Sequence, residues 1–259
     1  MRDKVAENAR GGFKRWQDYM QFKGPFEALF RFHLPLVAVF IFIVCLAFTF
    51  ISLNKHALLA CFGVNLCLWL AGFLFLRLGF IAKKDGYLRR FGRKAYKVAA
   101  FRYLLPYGVF WLSAVTMPLW VPGKRALELF PFSLLGLAVV ITGLFLMHKI
   151  LAVFGMDRLI YLYTYYPQEA SLVKLKIFEF IRHPAYTAWI FFGAGFFLIR
   201  GSLTSLMCLA INFLAISLLV RAEEGDIIKD FQEDYRAYKN SVPCFFPRRP
   251  FAFFAFLFK

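Results

Sequence analysis

The chain has 259 residues, of which 61% are apolar and 20% aromatic. A soluble domain is usually about 45–50% apolar, so this composition excludes an ordinary water-soluble fold and points to a chain solvated largely by lipid. The formal charge of +17 comes from 32 basic residues against 15 acidic ones. Because the basic residues sit in the loops between apolar stretches, they suit an anionic leaflet and give no reason to invoke nucleic acid.

Residues 1–33 mix Phe13, Trp16, Tyr19, Phe22, Phe26 and Phe30 with Lys14, Arg15 and Lys23. This spacing predicts an amphipathic arm at the inner interface, broken near Gly24-Pro25, with packing against the bundle as its plainer role. Five uncharged stretches follow that match the roughly 20 residues needed to cross about 30 Å of hydrocarbon: 34–53, 58–76, 103–121, 129–147 and 201–220. A sixth, 184–199, is shorter and ends in Arg200, whose side chain can reach back to the interface. The predicted fold class is therefore all-α, a polytopic transmembrane helical bundle of about six spans with a C-terminal helical hairpin over 184–220. The first apolar stretch begins too late and runs too long for a cleaved signal, so it is expected to remain as an anchor.

Loop charge predicts the orientation. Sorting Lys and Arg across alternating loops puts 28 on one side and leaves Lys55, Lys124, Arg125 and Arg200 on the other. That imbalance predicts a multi-pass protein with both termini in the cytosol. The domain organisation read from these features is an arm over 1–33, spans one to four over 34–153, and a C-terminal region over 154–259. The basic loop 77–102 lies in the second part and reads as a solvated connecting helix suited to phospholipid head groups. Cys45, Cys61, Cys67 and Cys208 fall inside spans and Cys244 in the tail, with no metal-ligand spacing, so no metal is expected. Gly193 and Gly195 lie within a span and read as close helix packing.

Chemistry concentrates on two segments flanking the last hairpin. The first carries Leu172-Val173 and then Arg182-His183-Pro184-Ala185-Tyr186; the second carries Glu223-Glu224, Phe231, Tyr235, Tyr238 and Val242-Pro243. One span out and one back separate them, so both must meet at the same face of the membrane. Pro184 suits a first helical turn, and it places Arg182 and His183 beside a helix start that favours anions. Tyr186, three residues after His183, can share its pocket. The stripe of Ile227, Ile228, Phe231, Tyr235 and Tyr238 predicts an apolar face that folds back as a lid. Taken singly, each motif has a plainer reading: a basic interfacial flank, a solvated helix start, a docking surface.

Together, in this order and at this spacing, Leu-Val, Arg-His-Pro-x-Tyr, Glu-Glu, Phe-x3-Tyr-x2-Tyr and Val-Pro over 172–247 resemble the isoprenylcysteine carboxyl methyltransferases and the wider membrane family that includes phospholipid and thiol methyltransferases. The resemblance implies S-adenosylmethionine as cofactor, bound by Leu172, Val173, Arg182, His183, Pro184, Tyr186 and Glu223. It implies an enzyme that moves a methyl group to a lipid-like or small apolar acceptor: an isoprenylcysteine carboxylate, a phospholipid amine or a thiol. Transfer from a sulfonium is an in-line displacement in which positioning supplies much of the rate. Glu223 would pair the donor's ammonium, and Arg182 or helix-start amides its carboxylate. An amine or thiol acceptor needs a base, for which His183 and Glu224 are the catalytic candidates. Membrane lipids are the expected partners.

The chain departs from the family pattern at Lys176-Ile177-Phe178, where relatives usually carry Gly-Pro-Tyr. It departs again at Ala188 and Gln232, where relatives carry Gly, and at Leu219, where the prenylcysteine enzymes carry a substrate-binding Arg. The alternative readings are a membrane reductase of the related sterol reductase architecture using NADPH, and a non-catalytic membrane scaffold. A transporter is disfavoured, since no charged residue lies mid-span.

Overall fold

The computed structural model describes residues 2–22, 27, 31, 33–126, 130–169 and 176–258. Among the described residues there is no β-strand. The chain order is α1 (Arg2–Met20), α2 (Leu34–Leu53), α3 (Ala57–Ile81), α4 (Lys84–Trp120), α5 (Phe130–Phe154), α6 (Pro184–Arg200), α7 (Leu203–Ser241) and α8 (Pro250–Leu257). The all-α polytopic bundle predicted from composition is therefore the observed architecture. Among the described residues, five helices are long and apolar enough to cross a membrane, α2, α3, α4, α5 and the Leu203–Lys229 part of α7. Helix α6, at 17 residues, is the short member of the hairpin.

The bundle presents apolar side chains outward, as lipid solvation requires. In α2 the buried residues are Ala47 and Ile51, while Phe42 is 64% exposed; Leu59 of α3 and Leu214 of α7 are equally open. Helices without a hydrophobic force between them associate through close packing and a few polar contacts. Trp69 Nε1 of α3 donates to Asn212 Oδ1 of α7 at 2.8 Å, and Asn212 Nδ2 donates to the Ala114 carbonyl of α4 at 3.0 Å, so one buried amide ties three helices.

Helices α5 and α6 touch backbone to backbone. A Cβ on Gly136 would lie 2.7 Å from the Gly195 carbonyl oxygen, and one on Gly195 would lie 2.7 Å from the Gly136 carbonyl oxygen. The close packing expected at Gly195 is thus the seam between α5 and α6. Ala188, another small residue, is fully buried on the same face, with its carbonyl oxygen 3.3 Å from where a Gly143 Cβ would stand.

The α6–α7 hairpin turns in two residues. Gly201 takes a left-handed φ of 62°, and Ser202 caps α7 through a reciprocal pair of bonds with Ser205 at 3.2 Å. The turn is held by the α4–α5 connection: Arg200 Nε donates to the Val121 carbonyl, Arg125 to that of Ile199, and Thr204 to that of Pro122. Arg125 and Arg200 thus share the end opposite to Arg77, Arg182 and Lys239.

At that second end the arm α1 packs on the bundle: Trp16 and Met20 are buried, Tyr19 stacks on Tyr166 at 4.4 Å, and Arg15 Nε meets the buried Asp157 at 2.8 Å. The predicted break at Gly24-Pro25 lies outside the described residues. One expectation changes: the basic loop 77–102 is not simply a solvated connector. Much of it is the start of α4, with Ala95, Tyr96, Ala99 and Ala100 fully or nearly fully buried and Tyr96 donating to the Ile160 carbonyl at 3.1 Å. Small alanines at helical spacing let that face close against 160–166 while its lysines and arginines stay outside.

The Gly136–Gly195 contact predicts that Gly195→Ala lowers stability by about 1–3 kcal/mol, because the clash is with backbone and no rotamer relieves it. Gly63→Ala, with nothing within 4 Å of the added carbon, should stay within about 0.5 kcal/mol of the parent in thermal unfolding of the detergent-solubilised protein.

Candidate active site

The segment preceding α6 is strapped to the C-terminal tail. The backbone N–H of Arg182 donates to the Pro243 carbonyl at 2.9 Å and that of His183 to the Cys244 carbonyl at 3.1 Å; Thr187 Oγ1 bridges the carbonyls of His183 and Phe245. Ile177, Phe178 and Ile181 are buried against Tyr235, Tyr238 and Val242, and Tyr238 OH donates to the Phe178 carbonyl at 2.7 Å. The aromatic stripe expected to fold back does so, because α7 bends at Gln232. That residue holds φ 42° and ψ −121°, a conformation favouring glycine.

The bend surrounds Glu224 with cations. Its Oε1 accepts from Arg182 Nε at 2.9 Å, lies 3.0 Å from His183 Nε2 and 3.3 Å from Tyr235 OH, and its Oε2 meets Lys239 Nζ at 2.7 Å. Glu224 is 4% exposed and the Arg182 side chain 9%. The rest of the Arg182 guanidinium caps the end of α7 by donating to the carbonyls of Lys239 and Val242. Burial and the Glu224 charge push the Tyr235 hydroxyl above its ordinary value, so it stays a donor.

Glu223, one residue earlier, faces elsewhere. Its Oε1 accepts from Tyr186 OH at 2.7 Å and Tyr161 OH at 2.8 Å, and the two hydroxyls lie 3.0 Å apart. Among the described residues nothing donates to Glu223 Oε2, and no cation pairs with this carboxylate. Burial first, and then the Glu223 charge, hold the Tyr161 hydroxyl well above its usual range, so it too remains protonated. Around this trio stand the rings of Tyr107, 6.2 Å from Tyr161, and Trp111, 5.7 Å from Tyr186.

The predicted residues Arg182, His183, Pro184, Tyr186, Glu223 and Glu224 are thus brought together at one end of the bundle, with the rings of His183 and Tyr186 5.9 Å apart. Leu172 and Val173 lie outside the described residues. Two members escaped sequence reasoning. Tyr161 comes from the connection after α5, where a left-handed φ of 59° turns it inward; nothing at its position signals a site. Lys239 looks like an ordinary tail lysine until the Gln232 bend returns it to Glu224.

His183, Glu224 and Cys244 offer ligand atoms within 4.8 Å of one another, a grouping that sequence spacing did not reveal. Arg182 and Lys239 already balance that carboxylate, and burial raises the Cys244 thiol and keeps it protonated. A further cation would meet two like charges there.

Residues 132–234 match the phospholipid methyltransferase family model. The match runs from α5 to just past the bend and contains Tyr161, Arg182, His183, Tyr186, Glu223 and Glu224; Tyr235, Lys239 and helices α1–α4 lie beyond it. It reaches back further than the 172–247 motifs, into α5 and the connection that supplies Tyr161. No curated protein and no solved structure matches the chain. For a polytopic helical protein with this family match, the supported activity is a membrane methyltransferase in general.

Removing Glu224 leaves Arg182 without its buried counter-charge, so Glu224→Ala should cost about 3–5 kcal/mol in thermal unfolding. Gln232→Gly should raise stability by about 1 kcal/mol, since Gln232 is exposed and only its backbone is strained.

Proposed function

We propose that this chain is an S-adenosylmethionine-dependent methyltransferase of the membrane, acting on a lipid-like or small apolar acceptor, with its site and both termini at the cytosolic end. The observation that carries the reading is the state of Glu223: a partly buried carboxylate held by two hydroxyls, with one oxygen unpaired among the described residues. A carboxylate in that setting fits a ligand ammonium or hydroxyl, and its Tyr161 and Tyr186 partners fix its orientation without neutralising it. When bound, the cofactor supplies the electrophilic methyl group. The family match favours methyl transfer over the reductase alternative.

The remaining roles follow from partners. Glu224 is a positioning residue rather than a base, because Arg182 and Lys239 already neutralise it. Arg182 is committed to Glu224 and to the end of α7, which leaves the α6 helix start as the anion-favouring element. His183, oriented through Nε2 by Glu224, keeps the role of proton acceptor for an amine or thiol; a carboxylate acceptor needs none. Positioning supplies the rest, with Trp111 and Tyr107 excluding water from the Glu223 side. The charge asymmetry of the loops supports the cytosolic orientation.

Calorimetric titration of the purified protein with S-adenosylhomocysteine and separately with NADPH tests this. S-adenosylhomocysteine should bind, and Glu223→Gln should weaken it by roughly 10- to 100-fold, as expected for a charge-assisted bond of about 1.5–3 kcal/mol, with thermal unfolding unchanged. Tyr161→Phe should weaken it by a smaller factor. Binding of NADPH instead would establish the reductase reading, and binding of neither ligand the scaffold. Labelled donor incubated with total lipid extract would then show the acceptor by mass.

A further inference from the structure

Where α1 ends and α4 rises toward the membrane lies a cleft of about 530 Å³, lined by Gln21, Lys94, Lys97, Val98, Phe101 and Arg102. Three of its six lining residues are cations, and among the described residues no carboxylate pairs with any of them. Their placement is built rather than incidental. Gln21 adopts a φ of 54°, and the reversal there, with Phe22 N–H donating to the Gln17 carbonyl at 3.0 Å, folds the buried Phe22 edge-on against Phe101 at 6.2 Å. The Lys97 ammonium sits over the Phe22 ring at 5.9 Å, and Arg102 over Tyr103 at 5.7 Å.

We infer that this cleft holds the phosphate of an anionic membrane lipid, with Lys94, Lys97 and Arg102 on the phosphate and Val98 and Phe101 against the glycerol and the start of the acyl chains. Three considerations select a lipid over a soluble phosphate. The site is amphiphilic, its three cations interleaved with Val98 and Phe101 along one helix face. Arg102 is the last charge before the uncharged stretch 103–121, so the cleft stands at the height where lipid phosphates lie. It is also at the same end as the dense basic set, where an anionic leaflet is attracted by roughly 1 kcal/mol per basic residue. A zwitterionic choline head group would bring its own ammonium against three cations and is disfavoured. The inference does not rest on the methyltransferase reading, and it gives the arm a use: Gln21, just past the end of α1, contributes to the wall of the cleft.

The test uses the full chain in detergent, titrated with dioleoylphosphatidylglycerol and, in parallel, dioleoylphosphatidylcholine, with bound lipids counted by native mass spectrometry. One phosphatidylglycerol should bind more tightly than any phosphatidylcholine. The triple substitution Lys94→Gln, Lys97→Gln, Arg102→Gln should weaken it at least tenfold, while Lys84→Gln, Arg89→Gln, Arg90→Gln, which removes equal charge from the neighbouring turn, should not. If the triple variant unfolds early, Lys97→Gln alone should still cost threefold or more. Equal loss in both triple variants would show diffuse attraction and overturn the site. Displacement of the lipid by inorganic phosphate or glycerol 3-phosphate at comparable concentration would show a soluble-phosphate site and overturn the lipid assignment.

Discussion

A carboxylate removed from water at the end of a helical bundle must be met by cations, and the way Glu224 is met dictates the rest of the site. Its partners arrive from three directions: Arg182 from the segment before α6, His183 from the α6 start, Lys239 from the far side of the Gln232 bend. Arg182 extends the tie by donating to the carbonyls that end α7. Segments separated by some 40 to 60 residues are thereby locked into one surface, and the strain at Gln232 is what lets the last turns of α7 return to it.

The same cluster separates two adjacent acids into different roles. Successive residues on a helix point about 100° apart, so Glu223 and Glu224 cannot share an environment. Glu224 turns toward charge and becomes structural. Glu223 turns toward the hydroxyls of Tyr161 and Tyr186, which orient it while leaving its charge uncompensated. Of these two adjacent acids, Glu224 is saturated by cations while Glu223 has only neutral partners among the described residues.

Precision at that end depends on packing further into the bundle. The Gly136–Gly195 seam sets how close α6 runs to α5, and hence where Tyr186 stands. The connection bearing Tyr161 is pinned twice: Arg15 and Tyr163 both meet the buried Asp157, at 2.8 and 2.6 Å, and Tyr96 holds the Ile160 carbonyl. The arm α1 and the buried face of α4, both outside the family match, therefore contribute to the placement of a residue inside it.

Hydropathy and spacing along the chain give the membrane class, the apolar stretches, the hairpin over 184–220 and the convergence of Arg182, His183, Tyr186, Glu223 and Glu224. These are legible because hydropathy and helical spacing are local properties, and two antiparallel helices of known length bring their outer ends together whatever else happens. Nothing in the local pattern around Gln232 marks it as a bend. That Tyr161 and Lys239 complete the two clusters, that Arg182 serves Glu224, and that one face of the basic loop is buried emerges only when the chain folds. Each of those outcomes is a choice of partner among many chemically equivalent tyrosines, lysines and carboxylates. That choice is made by distances that depend on backbone turns at Tyr161 and Gln232, and such turns leave no period in the chain.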